Sequence, residues 1–363
     1  VWSIVIAAAI YVCLRVFWSL LGTYKLRKAG SRPLHATRRR LWRDPGMIES
    51  LDLKSGPGGA EMKPVPPYRF LEEHDSGTQP CLSVIDAMRR RWRVKWGPEV
   101  RCETFAVRLA WACGYFAEVT HFVPSGTIEG AANLSRTGAC VDERGAFIDA
   151  RFELDDPDVE KRFEEHSWSW SDNPFVGTRE LAGLKVLLML ISNWDNKDQR
   201  DVARGSNTAI YLTRHGHWRR DAEYLIVDWG GSMGRWGRTV GLRGRWDPQG
   251  FAAQTPQFVT GVSEDGHVQF GYTGQRTSDA RAHIRVEDVR WLCRYLGRIT
   301  DAQLRDALEA SGATDEEIDS FAASLRARID QLITAAAWRA PSAAPSRDLP
   351  ATGVADSDRE ALS

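Results

Sequence analysis

Apolar and polar positions divide the chain into segments of different period. Positions 1–22 (VWSIVIAAAIYVCLRVFWSLLG) are apolar all round, with Arg15 the single charge. As a helix they extend about 33 Å, enough to cross a bilayer core. The run 25–43 follows with eight Lys/Arg and no acid. Under the positive-inside rule this keeps the C-terminal side in the cytoplasm. A single-pass membrane anchor is therefore expected. A cleaved signal peptide competes with it, but 19–22 (SLLG) is a poor small-x-small cleavage site. Residues 44–67 are rich in Gly and Pro and read as an extended linker wrapping onto the domain.

Beyond the linker the period switches between 2 and 3.6. Segments 68–72, 81–88, 92–96, 119–123 and 146–154 read as strands, with HDSGTQP a turn after the first and a hairpin joining the next two. A helix is predicted over 98–116, with Pro98 at its first position and Cys102, Phe105, Ala106, Leu109, Cys113 and Phe116 on one stripe. A long apolar helix is predicted over 179–192, with Thr178 as N-cap. The polar stretch NWDNKDQRDVARGSN separates it from two strands, TAIYL and YLIVD. A hairpin over 256–272 and helices over 286–296, 301–311 and 315–337 close the domain. The pattern divides the chain into a transmembrane helix (1–22), a basic juxtamembrane segment and linker (23–66), a strand-rich lobe (67–155), a helical lobe (156–338) and a disordered tail (339–363).

Composition changes this picture little. Apolar residues make up 43% and charged residues 26%, and the net charge is zero, so nothing global points to a nucleic-acid partner. The six cysteines show no CxxC spacing and read as reduced core residues. His215 and His217 lack acidic or Cys neighbours at ligand spacing and read as a loop. Most of the fifteen tryptophans sit beside apolar neighbours and read as core or lobe-interface anchors.

Candidate chemistry is concentrated in a few polar residues. Lys95 ends the strand RWRVKW on the face opposite Trp92, Val94 and Trp96. The following helix carries Glu103 at the edge of its apolar stripe, able to pair with Lys95; Glu99 is the reserve partner. Asp195 follows the long buried helix, with Asp198 and Asp201 competing for its role, and a solvated acidic turn is the ordinary alternative. Asn207 precedes the strand TAIYL and reads equally as a turn residue. Asp228 ends the strand YLIVD and opens the sequence DWGG. Ser76, Gly77 and Thr78 in the first turn are able to offer backbone N–H groups to a phosphate, or simply close a hairpin.

Taken in order, these residues resemble the protein-kinase-like superfamily, nearer its atypical branches, over roughly residues 67–335. Lys95 resembles the VAIK lysine and Asp228-Trp229-Gly230 resembles DFG. The resemblance implies an α+β, two-lobed protein-kinase-like fold, with a small mixed β-sheet lobe and a helical lobe behind the N-terminal transmembrane helix. It implies ATP and Mg²⁺ as cofactors, with Lys95, held by Glu103, and the Gly77–Thr78 turn on the phosphates. Asp228 and Asn207 would hold the metal, Asp195 would orient the acceptor hydroxyl, and adenine would lie between the lobes near 152–154. The implied activity is that of a membrane-anchored phosphotransferase moving the γ-phosphate of Mg-ATP to an unknown protein, lipid or small-molecule hydroxyl. The departures are Asn193-Trp194-Asp195 in place of HRD, Arg200 where the usual Asn belongs, and no GxGxxG or APE. An inactive kinase-like binding protein, or a metal-dependent nucleotidyltransferase or hydrolase using Asp195, Asp198 and Asp228, stands beside the kinase reading. The segments DPG…LDLKSGPGG and NPFVGTRELAGLK also resemble an uncharacterised group of bacterial proteins.

Overall fold

The computed structural model describes residues 38–75, 77–163, 167–195, 207–215, 219–274 and 278–339. The expected membrane helix, the tail from 340 on, and Ser76, Asp198, Arg200, Asp201 and His217 lie outside them. Among the described residues no helix is long and apolar enough to cross a membrane.

After a short strand β1 (Arg38–Arg40), the alternating segments become β2 (Tyr68–Glu73), β3 (Cys81–Ile85), β4 (Arg91–Lys95), β5 (Thr120–Glu129) and β6 (Ala146–Leu154). They close into a barrel in the order β2-β3-β4-β6-β5. Its pairings are antiparallel except the β2–β5 seam, which is parallel. Closure pairs the two edges that an open sheet would expose. Leu82, Val84, Trp92, Val94, Ala150 and Phe152 fill the barrel, because period-two alternation turns them to one face. Between β4 and β5 runs α1 (Val100–Ala112), packed against β5 and β6. It ends short of the expected 116 because Gly114, at φ +89°, passes so near Arg43 that a Cβ would lie 2.3 Å from the Arg43 carbonyl oxygen.

The second lobe is built on a sheet ordered β1-β9-β8-β7, with β7 Val159–Arg162, β8 Thr208–His215 and β9 Arg219–Ile226. Helix α2 (Arg179–Leu190) runs through its centre with Val186–Leu190 fully buried. Burial on all sides of that second half explains why it is apolar without a polar stripe. Thr178 caps it, Oγ1 accepting from Leu181 N at 3.2 Å. The short α3 (Pro248–Gln254) and α4 (Ser278–Arg281), the expected hairpin β10 (Val259–Val262) and β11 (Val268–Phe270), and α5 (Val286–Leu296), α6 (Asp301–Glu309) and α7 (Asp315–Ala336) complete it. The strands β1 and β7 were not expected from the pattern. The described cysteines are all free thiols.

Candidate active site

The site begins at the end of β4, where Trp92 and Val94 turn into the barrel and Lys95 turns toward α1. Glu99 and Glu103 are one helical turn apart and present their carboxylates on one side. Lys95 Nζ lies 2.8 Å from each. Arg151 of β6 reaches the other Glu103 oxygen at 2.7 Å, and Arg245 of the second lobe reaches Glu99 at 2.8 Å. Burial holds the Glu103 carboxyl above its ordinary value, against the charges of Arg151 and Lys95, both in contact with it. Burial opposes the charge on Lys95, but Glu103, Asp228 and Glu99 hold the ammonium above its ordinary value against Arg151. The lysine is thus a fixed, fully charged head group at the mouth between the lobes.

Asp228 follows β9, its Oδ1 accepting from Gly230 N at 2.9 Å. One carboxylate oxygen from each of Asp228, Glu99 and Glu103 lies within 4.8 Å of the others. The Glu99 and Glu103 Oε2 atoms are buried and make ion pairs without a well-aligned hydrogen bond. A trio of hard oxygens with such lone pairs fits a divalent cation of the Mg²⁺ or Mn²⁺ kind. Sequence reasoning assigned Glu103 to Lys95 alone and placed only Asp228 and Asn207 at the metal.

The 193–195 turn is stitched to the DWGG segment. Asn193 Nδ2 donates to the Asp228 carbonyl (3.4 Å) and Trp194 N donates to the Gly231 carbonyl (3.1 Å). Asn207 lies opposite Val227, accepting from its backbone N at 3.0 Å, and its side-chain amide donates to the Asp195 carbonyl. The structure therefore gives Asn207 a contact that holds the Asp195 turn and shows none with Asp228. The two glycines wedge between the partners. A Cβ on Gly230 would lie 2.7 Å from the Glu99 side chain, and one on Gly231 would lie 2.9 Å from Asp195 Cβ. The dipeptide thus brings Glu99 of the first lobe and Asp195 of the second to its two sides.

Some expected residues fall elsewhere. Gly77 and Thr78 are exposed, and the Gly77 carbonyl accepts from Arg136 Nη2 at 2.7 Å. Among the described residues no contact joins them to the Lys95 cluster. Phe152 is fully buried inside the barrel, so Arg151 and Glu153, its neighbours of opposite parity, lie on the other face, in the ion-pair layer with Glu103. Arg151, Glu153 and Arg245 were missed. The signal for the first two was present: charges at period two within the otherwise apolar strand AFIDARFEL.

No family model and no curated protein matches the chain. Among solved structures it is similar to the crystal structure of the Golgi casein kinase, at TM-score 0.37 and 10% identity over 81% of this chain and 75% of that one. It is also similar to the Golgi casein kinase with Mn/ADP bound, at TM-score 0.36 and 12% identity over 81% and 76%. At this level of likeness the cleft geometry, not the superposition, carries the functional reading. Nothing in these comparisons supports the bacterial grouping.

Proposed function

We propose that the chain is a kinase-like phosphotransferase that takes Mg-ATP in the cleft between barrel and helical lobe. One observation carries this reading: Lys95, Glu103 and Asp228, separated by up to 133 residues, converge where a partly buried cation faces carboxylates of both lobes. Lys95, fixed by Glu99 and Glu103, suits the α/β-phosphates. Asp228 with Glu99 or Glu103 would hold Mg²⁺, which when bound neutralises phosphate charge. Asp195 orients the acceptor hydroxyl and takes its proton. The acceptor oxygen then bonds to the γ-phosphorus, the bond to the β–γ bridging oxygen breaks, and ADP leaves. Asn207 positions Asp195 through the backbone. Anchoring through 1–22, with the domain on the cytoplasmic side, is part of the proposal on sequence grounds.

The test is a thermal shift followed by transfer from labelled ATP. Mg-ATP at about 100 times its Kd is expected to stabilise the protein by about 2.7 kcal/mol. Asp195→Asn keeps that shift and loses transfer, whereas Asp228→Asn loses the Mg²⁺-dependent part of it. No shift with Mg-ATP would identify an inactive binding protein. Label arriving from α- but not γ-labelled ATP would identify a nucleotidyltransferase.

A further inference from the structure

A cavity of about 270 Å³ lies between the 53–64 segment, α1, β5 and the end of α6. Its cationic wall is Lys54, Lys63 and Arg108, with His121 and Glu309 beside them, and its apolar wall includes Tyr68, Phe122, Val123 and Pro124. Arg108 lies five residues beyond Glu103, roughly 140° around the helix, and so faces away from the Lys95 cluster.

Arg108 is unusual for an interior arginine. It is 1% exposed and pairs with no carboxylate among the described residues. Nη1 donates to the carbonyls of Thr104 (2.9 Å) and Thr120 (3.2 Å), and Nε has no partner. Gly56, at φ +72°, covers the guanidinium so closely that a Cβ would sit 3.2 Å from Cζ. His121, 4% exposed, leaves Nε2 without a partner, and Thr120 Oγ1 is unpartnered as well. Lys63 makes no ion pair among the described residues, and Lys54 is taken up by Glu309 at 2.8 Å. Buried cations are normally paired, because an unpaired one costs several kcal/mol. Burial, then the charges of Arg108, Lys63 and Arg90, push His121 down to about 3. Burial also brings Arg108 down to about 10. Both shifts fit a cavity whose cations outnumber its acids: Glu309 lines it but is taken up by Lys54, and Asp52 bears on Arg108 without pairing with it.

We propose that this cavity binds a compact phosphate monoester carried on an apolar body, with Arg108 and Lys63 on the dianion and Tyr68, Phe122 and Val123 against the body. A dianion matches the two cations that have no acidic partner, and the apolar wall distinguishes an ester from the free ion. The ligand would rest on α1 and on the 53–64 segment together.

Titration calorimetry with phenyl phosphate, inorganic phosphate and phenol, at constant ionic strength, tests this. Phenyl phosphate is expected to bind saturably and at least tenfold more tightly than either of the others. Lys63 is exposed, so Lys63→Glu is expected to fold normally and weaken phenyl phosphate binding at least tenfold. Lys95→Ala, in the other cleft, is expected to leave it unchanged. The His121 imidazole resonances should move on titration in the native protein and in Lys95→Ala. No saturable binding of phenyl phosphate, binding no tighter than that of phosphate or phenol, or binding lost in Lys95→Ala but kept in Lys63→Glu would overturn the proposal.

Discussion

Glu103 joins the two positive charges of the first lobe, and its substitution tests the ion-pair layer directly. Glu103→Gln keeps the shape and removes the charge that Lys95 and Arg151 share at 2.8 and 2.7 Å. Breaking one member of a buried pair costs about 3–5 kcal/mol. Here the lower end is expected, since Lys95 keeps Glu99 and Arg151 keeps Glu153. Urea unfolding should show that loss, and Mg-ATP affinity should fall with it. Gly231 tests position instead of charge. A methyl group there meets Asp195 Cβ at 2.9 Å and Asn193 Oδ1 at 3.2 Å, so Gly231→Ala must push the Asp195 turn outward. A displacement near 1 Å costs about 100-fold in rate, and single-turnover transfer should fall by that order while Mg-ATP still shifts the melting temperature. At this scale the sequence was informative where residue type and order were distinctive. Lys95, Glu103, Asp195 and Asp228 stand out as polar groups at the ends of apolar runs. Arg245 did not, because an arginine on a loop reads as a solvated group until its distant carboxylate is known.

Between the two sheets, elements that look independent along the chain share titratable groups. Glu118 lies between α1 and β5, Glu153 on β6, Lys161 on β7 and Tyr211 on β8. The Tyr211 hydroxyl donates to Glu118, Lys161 lies 3.9 Å from Glu153, and Arg151 lies 2.5 Å from Glu153. Burial, then the charge of Glu153, pushes Glu118 up to about 8. Burial also works against the charge of Glu153, but Arg151 and then Lys161 hold this carboxyl below its usual range. Glu118 therefore carries the proton of the pair. Its folded value lies above the ordinary 4.5, so the folded chain keeps a proton that the unfolded chain gives up between about pH 4.5 and 8. The stability this contributes is full below that window and is lost as pH rises through it. Glu118→Gln, neutral throughout, is expected to flatten the decline in unfolding free energy between pH 5 and 8 and to be the more stable protein at pH 8. Elements were legible in proportion to their periodicity. The barrel strands and the terminal helices follow the pattern closely, but β1 is three arginines. Its partner β9 lies about 180 residues away, and Arg40 is held there by Asp221 at 3.0 Å and Glu223 at 2.9 Å. Charge complementarity at that separation leaves no local trace.

Among the described residues two segments of chain connect the lobes, and the sequence shows only one. The first is the short link from β6 to β7. The second is the 41–65 segment, which reads as a linker but crosses from one lobe to the other. Trp42 donates to the Cys113 carbonyl at 2.8 Å and packs against Trp291 and Tyr295 at 5.3 and 5.2 Å between ring centroids. Glu49 pairs with Arg298, and farther on Val65 N donates to Asp86 of the barrel at 3.3 Å. The buried Gln303 of α6 holds the middle, its Nε2 donating to the carbonyls of Ile48 (2.7 Å) and Leu51 (2.9 Å). A strap tied at both ends resists any hinge motion that separates its anchors, so its stiffness bears on how the cleft opens. Gln303→Ala strands the Leu51 carbonyl, while that of fully buried Ile48 keeps the bond from Leu51 N at 3.0 Å, at about 1–3 kcal/mol for the unmet group. The expected result is a lower unfolding free energy together with faster amide hydrogen exchange over 46–56, while exchange in the barrel strands stays near that of the native protein. Acceleration spread evenly over both lobes would mean that Gln303 supports only the helical core and that the strap follows the lobes without restraining them.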